Sequence, residues 1–136
     1  MPSRIAVIDD EPHMRDLLAK LFSDTDVEVQ PFARARDAVE YICGHEADVV
    51  ISDIMMPGIK GDSCCHEIKK IDPTIQLVII TGYPDEKLIS ECIRIGISDI
   101  FIKPFDFTQV KEVALSAVSR SRNLKTISAA WRKPKE

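Results

Sequence analysis

Residues 5–22 read IAVIDDEPHMRDLLAKLF and contain one repeat of the pattern that decides the fold. The run at 5–8 is short and continuously apolar, which is typical of a buried β-strand, and two acids follow it directly. Apolar side chains then recur at the spacing of one helical face, at Met14, Leu17, Leu18, Leu21 and Phe22. The stretch therefore predicts a strand followed by an amphipathic helix, with Asp9 and Asp10 at the carboxyl end of the strand.

The same alternation of an apolar run and a helical stripe continues along the chain. Further strands are predicted at 27–32, 49–51, 77–80 and 100–102. Apolar stripes predict further helices around 35–42, 64–71, 88–95 and 107–118. Gly44 and Gly96 are each expected to end a helix as its carboxyl-terminal glycine, and Asp106 is expected to cap the last helix.

Five strands that alternate with five helices predict an α/β fold with a parallel sheet. Strands that are apolar along their whole length need cover on both faces, and the connections between them are long enough for helices. A single domain of this size favours the flavodoxin-like, doubly wound, five-stranded parallel sheet in the order 2-1-3-4-5. Such sheets bind ligands at the carboxyl ends of their strands.

Length and composition describe an ordinary globular domain. The chain has 136 residues, of which 45% are hydrophobic and 29% charged, so neither disorder nor a second domain of usual size is expected. No apolar run approaches the roughly 20 residues that span a bilayer, and the first residues lack the apolar stretch of a signal peptide. We expect a cytoplasmic protein without membrane contact.

Charge is distributed unevenly along the chain. Residues 119–136 carry six bases and one acid, a formal charge of +5, which leaves −9 on residues 1–118 within the net charge of −4. An acidic body argues against a domain that binds nucleic acid through its phosphates. We assign residues 1–121 to the folded domain and 122–136 to a basic C-terminal tail or linker remnant.

The four cysteines do not have the spacing of a metal site. Cys43, Cys64, Cys65 and Cys92 include no C-x-x-C pair, and adjacent cysteines on a helix point about 100° apart. His66 beside them does not complete the four ligands of a structural zinc site. Buried, reduced thiols are the favoured interpretation.

Polar side chains follow four of the predicted strands. Asp9 and Asp10 follow the first strand, Asp53 the third, Thr81 the fourth and Lys103 the fifth. Three converging carboxylates repel one another and require a cation, and oxygen ligands without a nearby histidine favour Mg²⁺ together with a phosphate oxygen. A lysine ammonium and a threonine hydroxyl suit a phosphoryl group, and an aspartate can be its nucleophile. The edge therefore predicts phosphoryl chemistry.

Four motifs at these strand ends resemble the signatures of a known family. They are VIDDEP at 7–12, SDIMMPG at 52–58, ITG at 80–82 and IKPF at 102–105. Their order and spacing are similar to those of the receiver domain of two-component response regulators, over nearly the whole predicted fold. The resemblance implies a phosphoaccepting signalling switch and not a turnover enzyme.

The resemblance also implies a role for each acid. Asp53 would be the phosphoacceptor, and it would ligate Mg²⁺ by its side chain together with Asp10. Met55 would ligate the same ion through its backbone carbonyl, and Asp9 would assist through water.

Further roles and partners follow from the same resemblance. Lys103 would pair with Asp53 and then with the phosphoryl group, Thr81 would move to hydrogen-bond that group, and the peptide bond to Pro104 would be cis. The donor would be a phosphohistidine of a sensor histidine kinase or phosphotransfer protein, or a small donor such as acetyl phosphate. Phosphorylation would change the surface of the fourth helix, fifth strand and fifth helix, which would meet an unidentified output partner or domain or a second copy of the chain.

Three positions depart from the family pattern. The residue three before the lysine is commonly Tyr or Phe in receivers, but here it is Ile100 and Phe101 follows it. Either Phe101 substitutes through a shifted strand, or the output relies on backbone motion, or the coupling is weak. Met55 and Tyr83 occupy positions that tune dephosphorylation, and neither can orient an attacking water, so we predict a long-lived phosphoryl state.

Other functions fit the sequence less well. A flavodoxin-type redox protein needs small residues after the first strand, where this chain has three acids, and the G-x-x-x-x-G-K motif of a P-loop enzyme is absent. An aspartate-nucleophile phosphatase would resemble D-x-D at the first strand, but the acids here are adjacent. The remaining alternative is a degenerate receiver that binds partners without phosphorylation.

Overall fold

A computed structural model describes the backbone of residues 2–54 and 61–131, and the side chains of these residues except 61–63 and 131. The strands are β1 (Arg4–Ile8), β2 (Glu28–Phe32), β3 (Val49–Asp53), β4 (Gln76–Thr81) and β5 (Asp99–Ile102). The helices are α1 (Pro12–Leu21), α2 (Ala35–Gly44), α3 (Gly61–Ile71), α4 (Glu86–Ile95) and α5 (Phe107–Trp131). Strands and helices alternate in the predicted order.

The strands form one parallel sheet in the order β2-β1-β3-β4-β5. This confirms the predicted doubly wound, flavodoxin-like α/β fold. The central strands β1, β3 and β4 are almost fully buried, because helices cover both of their faces. The edge strand β2 is more exposed and accommodates Pro31, which cannot donate a hydrogen bond to a neighbouring strand.

Two hydrophobic layers sandwich the sheet. One lies under α2, α3 and α4 and contains among its buried residues Ile8, Ile42, Ile68, Ile79, Leu88 and Cys92. The other lies under α1 and α5 and contains among its buried residues Ile5, Leu18, Phe22, Ile51, Val110 and Ala114. Cys64, Cys65 and Cys92 are buried thiols as expected, whereas Cys43 is exposed. The layers hold the strand ends at fixed positions.

Strands β3 and β4 extend further than their apolar runs predict. Asp53 is the last residue of β3 and lies opposite Ile80, and Thr81 is the last residue of β4 and lies opposite Ile102. A hydropathy pattern misses such positions because a polar side chain at a strand end does not interrupt the backbone pairing. The consequence is that sheet hydrogen bonds fix both polar residues.

The two helix-terminal glycines differ from each other. Gly96 has the left-handed backbone (φ 90°) of a carboxyl-terminal cap, and its N–H donates to Cys92 O at 3.1 Å, as predicted. Gly44 also ends its helix as predicted, as the last helical residue of α2, but the cap that follows it differs. There His45 follows with extended backbone and its N–H donates to Tyr41 O at 2.9 Å, so no left-handed residue is needed.

Replacing these glycines by alanine is expected to change stability in opposite directions. Gly96→Ala should lower the free energy of unfolding by about 1 kcal/mol, because an L-residue in left-handed backbone is strained. Gly44→Ala should raise it by up to about 0.5 kcal/mol, because alanine favours helix. A Cβ atom would meet nothing within 4 Å at either position, so steric clashes do not confound the comparison. Urea unfolding measures both changes, and a shift of the same sign in both variants would contradict this account.

Helix α5 is 25 residues long and crosses the predicted domain boundary at residue 121. Its start agrees with the sequence, since Asp106 Oδ1 accepts a hydrogen bond from Thr108 N at 2.8 Å. The division into a domain at 1–121 and a tail at 122–136 stays a prediction. Neither α5 nor another helix in the described ranges is long and apolar enough to cross a membrane.

The aromatic residue of β5 is Phe101, and it lies on the opposite face of the sheet from Ile100. Ile100 packs against the layer under α2, α3 and α4, and it lies opposite Ile79 of β4. Phe101 packs in the layer under α1 and α5, with its ring centroid 6.4 Å from that of Phe105. Because successive residues of a strand point to opposite faces, Phe101 does not take the place of an aromatic residue at position 100.

Candidate functional site

Three carboxylates converge at the carboxyl edge of the sheet. Asp9 and Asp10 follow β1, Asp53 ends β3, and each offers an oxygen within 4.8 Å of the others. Asp9 is 2% exposed and the Asp53 side chain 5%, whereas Asp10 is open to solvent. The predicted cluster is therefore formed, and it opens to solvent on the Asp10 side.

The turn after β1 holds Asp9 from several directions. Its N–H donates to Phe32 O at 3.1 Å, and its Oδ1 accepts from Glu11 N at 2.9 Å. Burial raises the pKa of Asp9, and the charges of Asp53 and Asp10 raise it further, against a lowering by the Glu11 N–H and by Lys103. A cation at the cluster would offset this cost of ionising Asp9.

Lys103 forms the positive side of the site. Its Nζ lies 3.0 Å from Asp53 Oδ2, and its backbone N–H donates to Thr81 O at 2.9 Å. Burial lowers the pKa of Lys103, but the hydrogen bond and charge of Asp53 outweigh it and raise the pKa overall. The Lys103–Pro104 peptide bond is cis, as the family resemblance implies.

Two buried oxygens of the cluster could accept hydrogen bonds but receive none from the described residues. Within those residues, Asp9 Oδ2 and Asp53 Oδ1 have no hydrogen-bond partner. Buried polar atoms are normally satisfied, so such atoms call for an ion or another ligand. A hard divalent cation fits a site that offers carboxylate oxygens, and Mg²⁺ fits one that keeps an open side for water and phosphate.

Thr81 ends β4, which lies between β3, where Asp53 is the last residue, and β5, which Lys103 follows. Its side chain is fully buried, and its hydroxyl accepts a hydrogen bond from Tyr83 N at 3.0 Å. The Tyr83 side chain itself is 63% exposed. The sequence predicts Thr81 at the site but gives no sign that its hydroxyl already binds the following loop.

An open cleft of about 630 Å³ leads to the carboxylates. Asp53 and Lys103 lie in its wall together with apolar side chains of Met14, Phe105 and Phe107. The rings of Phe105 and Phe107 have centroids 4.9 Å apart. The cleft therefore leads from solvent to Asp53 and Lys103.

The remaining site predictions have mixed outcomes. Met55 lies outside the described residues, so its carbonyl stays a prediction. The sequence analysis missed Arg15, whose Nη1 donates to Asp9 O at 2.7 Å. The only signal in the sequence was a basic residue one turn into the first helix, close to two acids.

Comparison with protein-family models matches residues 5–115 to the response regulator receiver domain. The chain belongs to this family. The receiver is 33% identical over 121 residues to chemotaxis protein CheY of Thermotoga maritima, a match that covers 88% of this chain and 100% of CheY. It is 28% identical over 112 residues to sporulation initiation phosphotransferase F of Bacillus subtilis, which covers 82% of this chain and 90% of that protein.

Solved structures agree with the fold. The crystal structure of a CheY-like response regulator receiver domain protein from Methanospirillum hungatei matches with a TM-score of 0.83 at 19% identity. The match covers 90% of this chain and 98% of that chain. Some curated relatives are much longer proteins, and the chain spans 13% of one of them.

Membership of the family confirms the function class expected from the four motifs. Receiver domains of two-component systems are phosphoaccepting switches that bind Mg²⁺ at an acidic pocket and interact with histidine kinases and output domains. The family match lends no support to a module that works without phosphorylation. In this chain the carboxylates of Asp9, Asp10 and Asp53 form an acidic cluster at the carboxyl edge of the sheet.

Proposed function

We propose that Asp53 of this receiver accepts a phosphoryl group from the phosphohistidine of a sensor histidine kinase or phosphotransfer protein. The observation that carries the proposal is the environment of this carboxylate. One oxygen lies 3.0 Å from the Lys103 ammonium, and the other, within the described residues, is buried without a partner. Both charge compensation and a reactive oxygen are therefore available at the open cleft.

Asp53 would act as the nucleophile of an in-line transfer. One of its carboxylate oxygens forms a bond to phosphorus while the bond from phosphorus to the histidine nitrogen breaks, and the nitrogen keeps the electron pair. Lys103 then pairs with an oxygen of the transferred group, because its ammonium already lies against Asp53. Such a transfer depends on positioning and on neutralising charge, which the strand ends provide.

Asp10 and Asp53 would hold Mg²⁺ by their side chains, Met55 by its backbone carbonyl and Asp9 through water. The ion supplies positive charge that offsets the repulsion between the carboxylates and the incoming phosphoryl oxygens. Asp9, which is buried and hydrogen-bonded to Glu11 N, keeps the adjacent Asp10 at the mouth of the site.

Thr81 would connect phosphorylation to the output surface. Phosphorylation adds roughly −1.5 to −2 charges and new acceptors, which attract the Thr81 hydroxyl away from Tyr83 N. The output surface on α4, β5 and α5 exposes Ile93 (72%) and Ile102 (49%), apolar side chains suited to a partner. With Ile100 half-buried in place of an aromatic ring, the change reaches this surface through the backbone of the β4–α4 loop.

The receiver would act as a switch and not as a turnover enzyme, with slow autodephosphorylation as its only further chemistry. Its location would be the cytoplasm, where the buried thiols stay reduced. Residues 1–121 would form the receiver, and 122–136 would be its basic tail or linker remnant.

Intact-mass measurement after incubation with acetyl phosphate tests the proposal. The wild type is expected to gain the mass of one phosphoryl group only when Mg²⁺ is present, and Asp53→Asn is expected to gain none. Asp99→Asn is the matched control, since Asp99 is exposed at the start of β5, away from the cluster. Equal phosphorylation of Asp53→Asn and the wild type would overturn the assignment of Asp53.

A further inference from the structure

We propose that Arg15 is a positioning residue for the metal site, an inference that rests on the proposed function. The guanidinium lies one turn into α1, and its Nη1 reaches back to the backbone carbonyl of Asp9 at 2.7 Å. That carbonyl belongs to the peptide group that joins Asp9 to Asp10. The hydrogen bond therefore fixes the orientation of the peptide that carries two of the three carboxylates.

The start of α1 needs such a contact because its own capping is weak. Glu11 occupies the N-cap position but makes no side-chain capping bond, and Pro12 follows with no N–H to donate. The first turn is closed by Arg15 N, which donates to Glu11 O at 3.1 Å. The same residue thus ties the helix start to the β1 end through its backbone and through its side chain.

Arg15 makes its hydrogen bond to Asp9 O without pairing with a carboxylate of the cluster. Within the described residues it forms no ion pair with an acid, although it lies at the most acidic edge of the molecule. Arg34, the N-cap residue of α2, and Arg94 of α4 instead pair with acids of those helices, and their side chains are 80% and 72% exposed. Because the guanidinium binds a neutral carbonyl, it does not compete with a cation for the unpartnered oxygens Asp9 Oδ2 and Asp53 Oδ1.

The sign of the effect on Mg²⁺ affinity separates this role from a simple charge effect. Removing a positive charge near three carboxylates strengthens their attraction for a cation. Removing a group that orients metal ligands weakens metal binding, typically by 10- to 100-fold. Arg15→Met therefore has opposite expected consequences in the two cases.

Calorimetric titration with Mg²⁺ alone provides the test. Arg15→Met is expected to bind Mg²⁺ about tenfold more weakly than the wild type. Arg15→Lys, which keeps the charge and a donor, is expected to fall between them. Arg94→Met, the control, should match the wild type. In the metal-free protein, amide hydrogen exchange within residues 10–14 should be faster in Arg15→Met at the Glu11 N–H, which donates to Asp9 Oδ1. Phosphorylation by acetyl phosphate should recover its rate at saturating Mg²⁺.

The possible results distinguish this inference from the proposed function. Equal or tighter Mg²⁺ binding by folded Arg15→Met, with unchanged exchange at residues 10–14, overturns the role of Arg15 alone. If Arg15→Met does not fold, Arg15→Lys with wild-type affinity and exchange overturns it equally. A wild type that binds no Mg²⁺ overturns the proposed function itself.

Discussion

Lys103→Met is expected to lower the rate of phosphorylation by acetyl phosphate about 100-fold at saturating Mg²⁺. Removing one preorganised group that stabilises developing negative charge typically costs a factor of 10² to 10³. Here the lost group is the ammonium that lies 3.0 Å from Asp53 Oδ2, in a site where the Asp53 side chain is 5% exposed. Methionine keeps much of the apolar stem and its packing but supplies no charge.

The same substitution is expected to tighten Mg²⁺ binding. Without Lys103, the carboxylates of Asp9, Asp10 and Asp53 are no longer partly neutralised, so their attraction for a divalent cation rises. A slower reaction together with tighter metal binding would separate the charge role of Lys103 from a general loss of structure. Calorimetry measures the Mg²⁺ affinity, and intact-mass measurement of samples quenched at successive times measures the rate of phosphorylation.

Lys111→Met is the matched control for this prediction. Lys111 also pairs with an aspartate, Asp24, at 2.7 Å, but that aspartate is 72% exposed and lies away from the carboxyl edge of the sheet. Its loss is expected to leave both the rate and the Mg²⁺ affinity unchanged. An unchanged rate in Lys103→Met would remove this lysine from the transfer step.

The sequence was sufficient for the fold and for the location of the site, for one physical reason. Buried parallel strands are apolar along their length, so hydropathy locates each strand along the chain even though it misses the polar last residues of β3 and β4. The carboxyl ends of parallel strands then meet at one edge of the sheet. Asp9, Asp10, Asp53, Thr81 and Lys103 therefore had to lie near one another. The placement of these residues at one edge of the sheet thus follows from the parallel arrangement of the strands.

What the sequence did not predict depends on where individual side chains reach. Arg15 binds a carbonyl six residues before it, and the Thr81 hydroxyl accepts from the backbone of Tyr83. Neither contact has a spacing that a motif identifies. The extended cap after Gly44 was also not predicted, because an extended residue after a helix can satisfy a terminal carbonyl as well as a left-handed one. The length of α5 was underestimated because polar contacts, and not an apolar stripe, hold its second half.

Those polar contacts form a cluster at the amino edge of the sheet, opposite the edge that holds Asp53. Asp48, which is 2% exposed, accepts from Arg4 N at 3.1 Å and from Ser121 Oγ at 3.3 Å. Lys125 Nζ lies 3.8 Å from the same carboxylate and donates to Thr74 Oγ1 at 2.7 Å. The cluster joins the start of the sheet to the part of α5 beyond residue 118.

Lys125 also bridges this cluster to the loop after α3. Its Nζ lies 3.3 Å from Asp72 Oδ2 and donates to Ala47 O at 2.9 Å. Burial raises the pKa of Asp72, but hydrogen bonds from Thr74 and the charge of Lys125 outweigh it and lower the pKa overall. Lys125 thus keeps one acidic partner when Asp48 is removed.

Asp48→Ala is expected to lower the free energy of unfolding by about 3 kcal/mol. Removing one member of a buried ion pair typically costs 3 to 5 kcal/mol, and Asp72 remains as a partner for Lys125, which places the loss at the lower end. Urea unfolding should give a lower midpoint with an unchanged slope, since the folded core is the same. Amide exchange at 122–131 should become faster, because α5 loses its anchor there.

Asp48→Asn and Asp24→Ala are the comparison variants for this loss of stability. Arg4 N and Ser121 Oγ bind different oxygens of Asp48, and asparagine keeps one of these two acceptors, so it should cost less than alanine. Asp24 is 72% exposed in its pair with Lys111, and its removal should change the midpoint far less. All three variants should be phosphorylated like the wild type, because the cluster and Asp53 lie at opposite ends of the strands. A wild-type midpoint for Asp48→Ala would contradict this account. It would mean that the apolar face of α5 alone stabilises the helix, and that the polar contacts of its second half add no measurable stability.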